Sequence, residues 1–267
     1  MSTVTKISAQ KAPDNRLLNR SYVVVSILFF ITLWTLKILE DTHVIGFHTL
    51  PVQILVPGYV GITMLYNFLA YRLEKTHLIA AALLFALIAE TVNALNMDFG
   101  LLFFAVTHTL LMIFHWKKSF KLEHRAFSAA EPHLQLRAYK RLEWISGLVM
   151  ALLYGVVVVS IELNLHTHSL EYELVVPIYM LVLSLMAWRS ICTWGEKQSG
   201  RIVVGSLLFY ACDVFILAEL TAPNFTNPPL TLLVLSWVTY LPALFFLSCI
   251  GKDIFTRGWF ARHWPNF

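Results

Sequence analysis

Four side chains in this sequence stand where a membrane would put hydrocarbon around them: Glu90, His108, Asp213 and Tyr240. Each interrupts an apolar run close to the roughly 20 residues that a helix needs to cross a bilayer. An ionisable group in such a run is costly and marks a functional site by default. The two acids recur in matching contexts, Leu83-Leu84-Phe85 ahead of Glu90 and Leu207-Leu208-Phe209 ahead of Asp213. At 1.5 Å rise per residue each acid lies about 18–20 Å from the start of its helix, so the two share a depth. An isolated ionised carboxylate would neutralise there. Two at one depth titrate as a unit and suit proton transfer, either to a substrate or across the membrane. His108 lies about ten residues down the helix that returns from Glu90, and Tyr240 sits comparably on the last run. Asn93 extends the polar group around Glu90. Single polar residues on membrane helices also serve as interhelical hydrogen-bond contacts, and Asn93, His108 and Tyr240 fit that role too.

These residues need helices to hold them, and the composition supplies little else. Of 267 residues, 58% are hydrophobic and 13% charged, against about 25% charged in soluble proteins. The chain reads as an all-α, polytopic integral membrane protein. Eight spans are expected, at 21–39, 51–70, 77–96, 98–115, 143–162, 174–193, 201–220 and 229–250. Lys and Arg alternate between the links as the positive-inside rule requires. Nineteen of the 20 basic residues fall on one face, seven of them between 116 and 142, and Lys37 is the exception. Both termini are therefore expected in the cytoplasm. The domain plan is a cytoplasmic tail at 1–20, a membrane domain at 21–250 and an interfacial tail at 251–267.

A repeat divides that domain. Val56-Pro57-Gly58-Tyr59 recurs as Val176-Pro177-Ile178-Tyr179, 120 residues on, and the Leu-Leu-Phe runs are 124 apart. Two matches in register, on spans of matching direction, predict two parallel four-helix halves about an axis along the membrane normal. The halves are about 21–115 and 143–250, joined by the basic cytoplasmic loop 116–142.

Other readings of the polar residues are weaker. The loop 116–142 lacks interleaved aromatics, so its charge points to anionic lipid rather than nucleic acid. Trp259, Phe260 and Trp264 with Arg257 and Arg262 give the tail the pattern of an interfacial helix. Glu162 and Glu219 end their spans and reach water. His43, His48, His166 and His168 on outer links match no standard metal-ligand spacing. Cys192, Cys212 and Cys249 read as small buried hydrophobes. No metal or cofactor is expected. The N-terminus lacks the early apolar region and cleavage site of a signal peptide.

The stretch LLFALIAETVNALNMDFGLLFFAVTHTLLMIF resembles the first signature of the YhhN family of eight-span membrane proteins, the lysoplasmalogenases. VPIYMLVLSLMAWRSI, with Tyr179, is similar to that family's sixth helix, GSLLFYACDVFIL to its acid-bearing seventh, and WVTYLPALFFLS to its last. The resemblance covers roughly residues 51–250, and Phe104, His108, Asp213, Thr239 and Tyr240 carry over position by position. Two positions depart: Glu90 stands where the family usually has Asp, and Leu244 where the last helix often has Gln. The resemblance implies a hydrolase that cleaves the vinyl ether of a lysophospholipid into a fatty aldehyde and a glycerophospho-base. Vinyl ethers are cleaved by protonating the outer alkene carbon, which leaves an oxocarbenium ion for water to attack. That needs an acid holding its proton near neutral pH and an anion nearby, the division of labour of two glycosidase carboxylates. Glu90 and Asp213 are the expected pair, with His108, Tyr240, Asn93 and Tyr179 orienting water or substrate. The partners so implied are a lysophospholipid or ether-lipid substrate and the bilayer, in a bacterial inner membrane or a eukaryotic endomembrane. Nothing in the sequence specifies an oligomeric state. A proton-coupled transporter and a non-catalytic lipid-binding protein are the alternatives.

Overall fold

The computed structural model describes residues 16–41, 50–70, 77–93, 97–127, 132–164, 170–195, 199–220 and 230–250. Among them all regular structure is helical: α1 (Arg16–Asp41), α2 (Leu50–Ala70), α3 (His77–Asn93), α4 (Met97–Phe127), α5 (Pro132–Asn164), α6 (Leu170–Ile191), α7 (Ser199–Leu220) and α8 (Leu230–Ser248). Each expected span has its helix. The stretches within α1, α4, α5 and α7 are long and apolar enough to cross a membrane, and α2, α3, α6 and α8 contribute shorter apolar stretches. Outward faces are lined with Ile, Leu, Val and Trp, such as Ile27 and Leu28 on α1 and Leu148, Leu152 and Val156 on α5. A surface of that kind belongs in lipid, since no water-soluble domain tolerates so continuous an apolar coat. The molecule is a multi-pass membrane protein.

Two helices outrun the expected spans. α4 continues twelve residues past His115, and α5 starts eleven before Glu143, so most of 116–142 is helix rather than loop. The apolar pattern marks where hydrocarbon ends and is silent about where the helix ends. Lys, Glu and Leu are good helix formers in water as in lipid, and Pro132 opens α5 at the position where a missing N–H costs nothing. The two extensions are tied together and to α6. Lys140 bonds Glu123 at 2.6 Å and Glu143 at 2.9 Å, while Arg189 bonds Glu143 at 2.9 Å. Arg189 also stacks on Trp116 and Trp188, 3.9 and 4.1 Å from the ring centres. α6 ends in a turn at Cys192–Gly195, where Gly195 takes φ +101°, a conformation that side chains disfavour.

The closest pairings are α7 with α8 and α3 with α4. Small residues permit both. α3 buries Ala82, Ala86 and Ala89 on one stripe, and the Thr107 hydroxyl of α4 donates to the Ala82 carbonyl. A Cβ at Gly100 would come within 3.0 Å of the Asn93 Cα, and one at Gly205 within 3.2 Å of Leu247 and Phe246. Near the start of α1, Tyr22 stacks on Tyr66 at 3.6 Å and hydrogen-bonds Ser248, and further along Phe29, Phe30 and Leu33 pack on the core. α6 packs against α4, α5 and α7 and lies at the centre of the core.

Candidate active site

The site forms where α4, α6 and α7 meet. Each helix presents one polar side chain to a shared point: His108, Tyr179 and Asp213, all buried. The Tyr179 hydroxyl donates to Asp213 Oδ2 at 2.5 Å, and His108 Nε2 lies 2.7 Å from the same oxygen. His108 Nε2 and the Tyr179 oxygen are 3.0 Å apart, closing a triangle. A carboxylate oxygen 2.7 Å away is an acceptor, so the Nε2 position carries the imidazole proton. In the neutral imidazole Nδ1 is then the lone-pair nitrogen, and it is buried with no partner among the described residues. Asp213, His108 and the free Nδ1 reproduce the carboxylate–imidazole half of a catalytic triad, with a tyrosine fixing the carboxylate.

The second acid sits differently. Glu90 is half-buried and enclosed by protein atoms. It is close enough to Asp213 to feel its charge, and Tyr240 of α8 faces it. The Tyr240 hydroxyl is buried and makes no hydrogen bond of normal geometry among the described residues. Each acid thus meets the fourth helix of the other half of the chain: Asp213 meets α4, and Glu90 meets α8. The repeated tyrosines part company here. Tyr179 reaches Asp213, whereas Tyr59 is buried against Phe29 and Phe30 of α1. Asp213 is held by two donors, whereas Glu90 has Tyr240 facing it.

Aromatic rings wall the space between the acids. Phe209 meets the His108 ring edge-on at 4.7 Å and Tyr240 at 5.6 Å, and Phe104 stands 6.4 Å from both Phe209 and Tyr240. Pro177 and Pro242 lie two residues from Tyr179 and Tyr240, and each removes one backbone hydrogen bond beside a site side chain.

Asn93 is not part of this cluster. It is exposed at the end of α3 with its side chain against Gly100. Thr239 bonds carbonyls of its own helix, and Leu244 is buried one turn from Tyr240 in the apolar core. The side chains of Glu162, Glu219, His43, His48, His166 and His168, and the tail at 251–267, lie outside the described residues. Among the described residues no three of His, Cys, Asp and Glu converge as a metal-binding set. One buried pair went unread in the sequence: His115 Nε2 lies 2.9 Å from the Ser206 hydroxyl, both fully buried. His115 follows His108 by seven residues and Ser206 precedes Asp213 by seven, so this is a second polar rung two turns along α4 and α7. The i, i+7 spacing was the available signal, masked because His115 closes an apolar run and reads as interfacial.

Residues 52–249 match the model of the YhhN family, and the chain belongs to that family. No curated protein and no solved structure matches the chain at a significant level.

Proposed function

We propose that this member of the YhhN family is a membrane-embedded lysoplasmalogenase, hydrolysing the vinyl ether of a lysophospholipid with its two acids in different roles. The observation that carries the reading is the asymmetry of the carboxyls. Asp213 accepts from Tyr179 and His108, which suits an anion. Glu90 is half-buried and faces Tyr240 rather than being locked between two donors, which suits an acid that gives its proton to substrate. Family membership supports the reaction class.

In this mechanism the Glu90 carboxyl protonates the outer alkene carbon. The electron pair of the double bond makes the new C–H bond, and positive charge spreads over the ether oxygen and the adjacent carbon. The Asp213 carboxylate and the ring faces of Phe104, Phe209 and Tyr240 stabilise that cation. Water adds to the cationic carbon and loses its proton to His108 Nδ1, giving a hemiacetal. Glu90, now a carboxylate, takes the hemiacetal hydroxyl proton, and protonated His108 returns its proton to the ether oxygen. The C–O bond breaks to release the aldehyde and the glycerophospho-base, and both residues regain their starting states.

The reading includes a topology: eight spans, both termini cytoplasmic, and two parallel halves. The sequential pairings of α1–α4 recur in α5–α8, which supports it. A site at mid-depth suits a substrate entering sideways from one leaflet. Aldehyde release by the purified protein tests the function. Lysoplasmalogen should yield aldehyde and the matching ester lysophospholipid should yield no fatty acid. Turnover of neither lipid would refute the reading.

A further inference from the structure

The basic end of α5 carries a feature that the reaction does not use. Leu134, Arg137, Ala138, Arg141, Leu142 and Ile145 line a groove of about 460 Å³. Their spacing of three and four residues puts them on one helix face. That face is turned away from the bundle, since Tyr139, Ser146 and Met150 are the residues α5 buries.

The charges in this groove are unlike their neighbours. Lys140 is held by Glu123 and Glu143, and Arg189 by Glu143 and two tryptophans. Arg137 and Arg141 are exposed, one turn apart, and make no ion pair among the described residues. No acid lines the groove. Two guanidinium groups at that spacing present forked donors to one phosphate, the geometry in which Arg exceeds Lys.

Beyond the arginines the same face turns apolar and stays exposed: Ile145, Leu148, Leu152 and Val156. From Ile145 to Val156 the helix rises about 16 Å, close to half of a roughly 30 Å hydrocarbon core. Charge at one end and an acyl-length apolar track at the other define the occupant. We propose that this face of α5 binds an anionic phospholipid, its phosphate between Arg137 and Arg141 and an acyl chain along Ile145, Leu148 and Leu152. The site is separate from the acid pair and stands whether or not the chain hydrolyses vinyl ethers.

Trp144, 77% exposed beside the groove, provides the reporter. The full chain is placed in nanodiscs of neutral phosphatidylcholine doped with chain-brominated phosphatidylglycerol or chain-brominated phosphatidylcholine. The Trp144 signal is the difference between the wild type and Trp144→Phe. Brominated phosphatidylglycerol should quench it at roughly fivefold or more lower mole fraction, since one basic residue near anionic lipid already favours it by about that factor. The doubly substituted Arg137→Gln/Arg141→Gln protein should lose that preference. Lys117→Gln/Lys121→Gln, an exposed pair of the same spacing and charge on α4, should keep it. Equal quenching by both lipids in the wild type would overturn the proposal. So would an equal loss in the α4 variant, which would mean diffuse attraction. Displacement of the lipid by millimolar inorganic phosphate would also overturn it, as a site for free phosphate.

Discussion

At the scale of single residues, the account rests on two carboxyls that the chain treats differently. Replacing the proton donor should cost what general acid catalysis contributes, about 10²–10⁴-fold in turnover, so Glu90→Gln is expected to fall in that range. His108→Gln removes the proposed base for the water proton and should fall in the same range. Tyr179→Phe deletes one donor to Asp213 and leaves the imidazole in place, so a loss of roughly tenfold is expected from one buried hydrogen bond. Steady-state aldehyde release ranks the three. A Tyr179→Phe loss equal to that of His108→Gln would mean that the tyrosine touches substrate rather than holding Asp213. Glu90, His108, Asp213 and Tyr240 were legible in the sequence because polar atoms in apolar runs have no bland explanation as a set. Their partners were not legible. Which tyrosine of the repeat reaches an acid depends on how α6 and α2 turn in the bundle, and Tyr59 and Tyr179 look alike in the sequence. Asn93 looked equally placed, three residues from Glu90, yet the end of α3 turns it outward.

At the scale of helices, the site holds together because its walls are close-packed through small residues. Gly205 is the test position, since a Cβ there already meets Leu247 and Phe246 at 3.1–3.2 Å. Gly205→Leu overpacks the α7–α8 seam, at a cost of about 1–3 kcal/mol, and should lower the unfolding temperature in detergent. Gly155→Leu, where a Cβ meets nothing within 4 Å, should not. Equal shifts would mean that the seam has room to give. Helix existence was legible here and helix ends were not. α4 and α5 extend beyond the expected spans over 116–127 and 132–142, where polar composition reads as loop but local propensity and the ion pairs of Lys140, Glu143 and Arg189 sustain helix. The second rung of His115 and Ser206 escaped for a related reason, being close to where the apolar pattern stops.

At the scale of the whole molecule, the alternation of basic links predicts the orientation, and the repeated signatures predict two halves. The orientation predicts a labelling pattern. The three native cysteines form no disulfide and are buried, so single cysteines can be introduced at positions 8, 169 and 266 against a low background. A membrane-impermeant maleimide added outside intact cells should label Ser169→Cys alone, and Ser8→Cys and Asn266→Cys should react only after the membrane is opened. Labelling of either terminus from outside would break the eight-span reading.

The most direct test of the chemistry follows hydrogen itself. Lysoplasmalogen is turned over in D2O and the aldehyde is trapped and weighed by mass spectrometry. The account predicts one deuterium on the carbon next to the carbonyl, placed there by Glu90, and loss of aldehyde release in Glu90→Gln and in Asp213→Asn. Aldehyde without carbon-bound deuterium, or release undiminished in both variants, would contradict it.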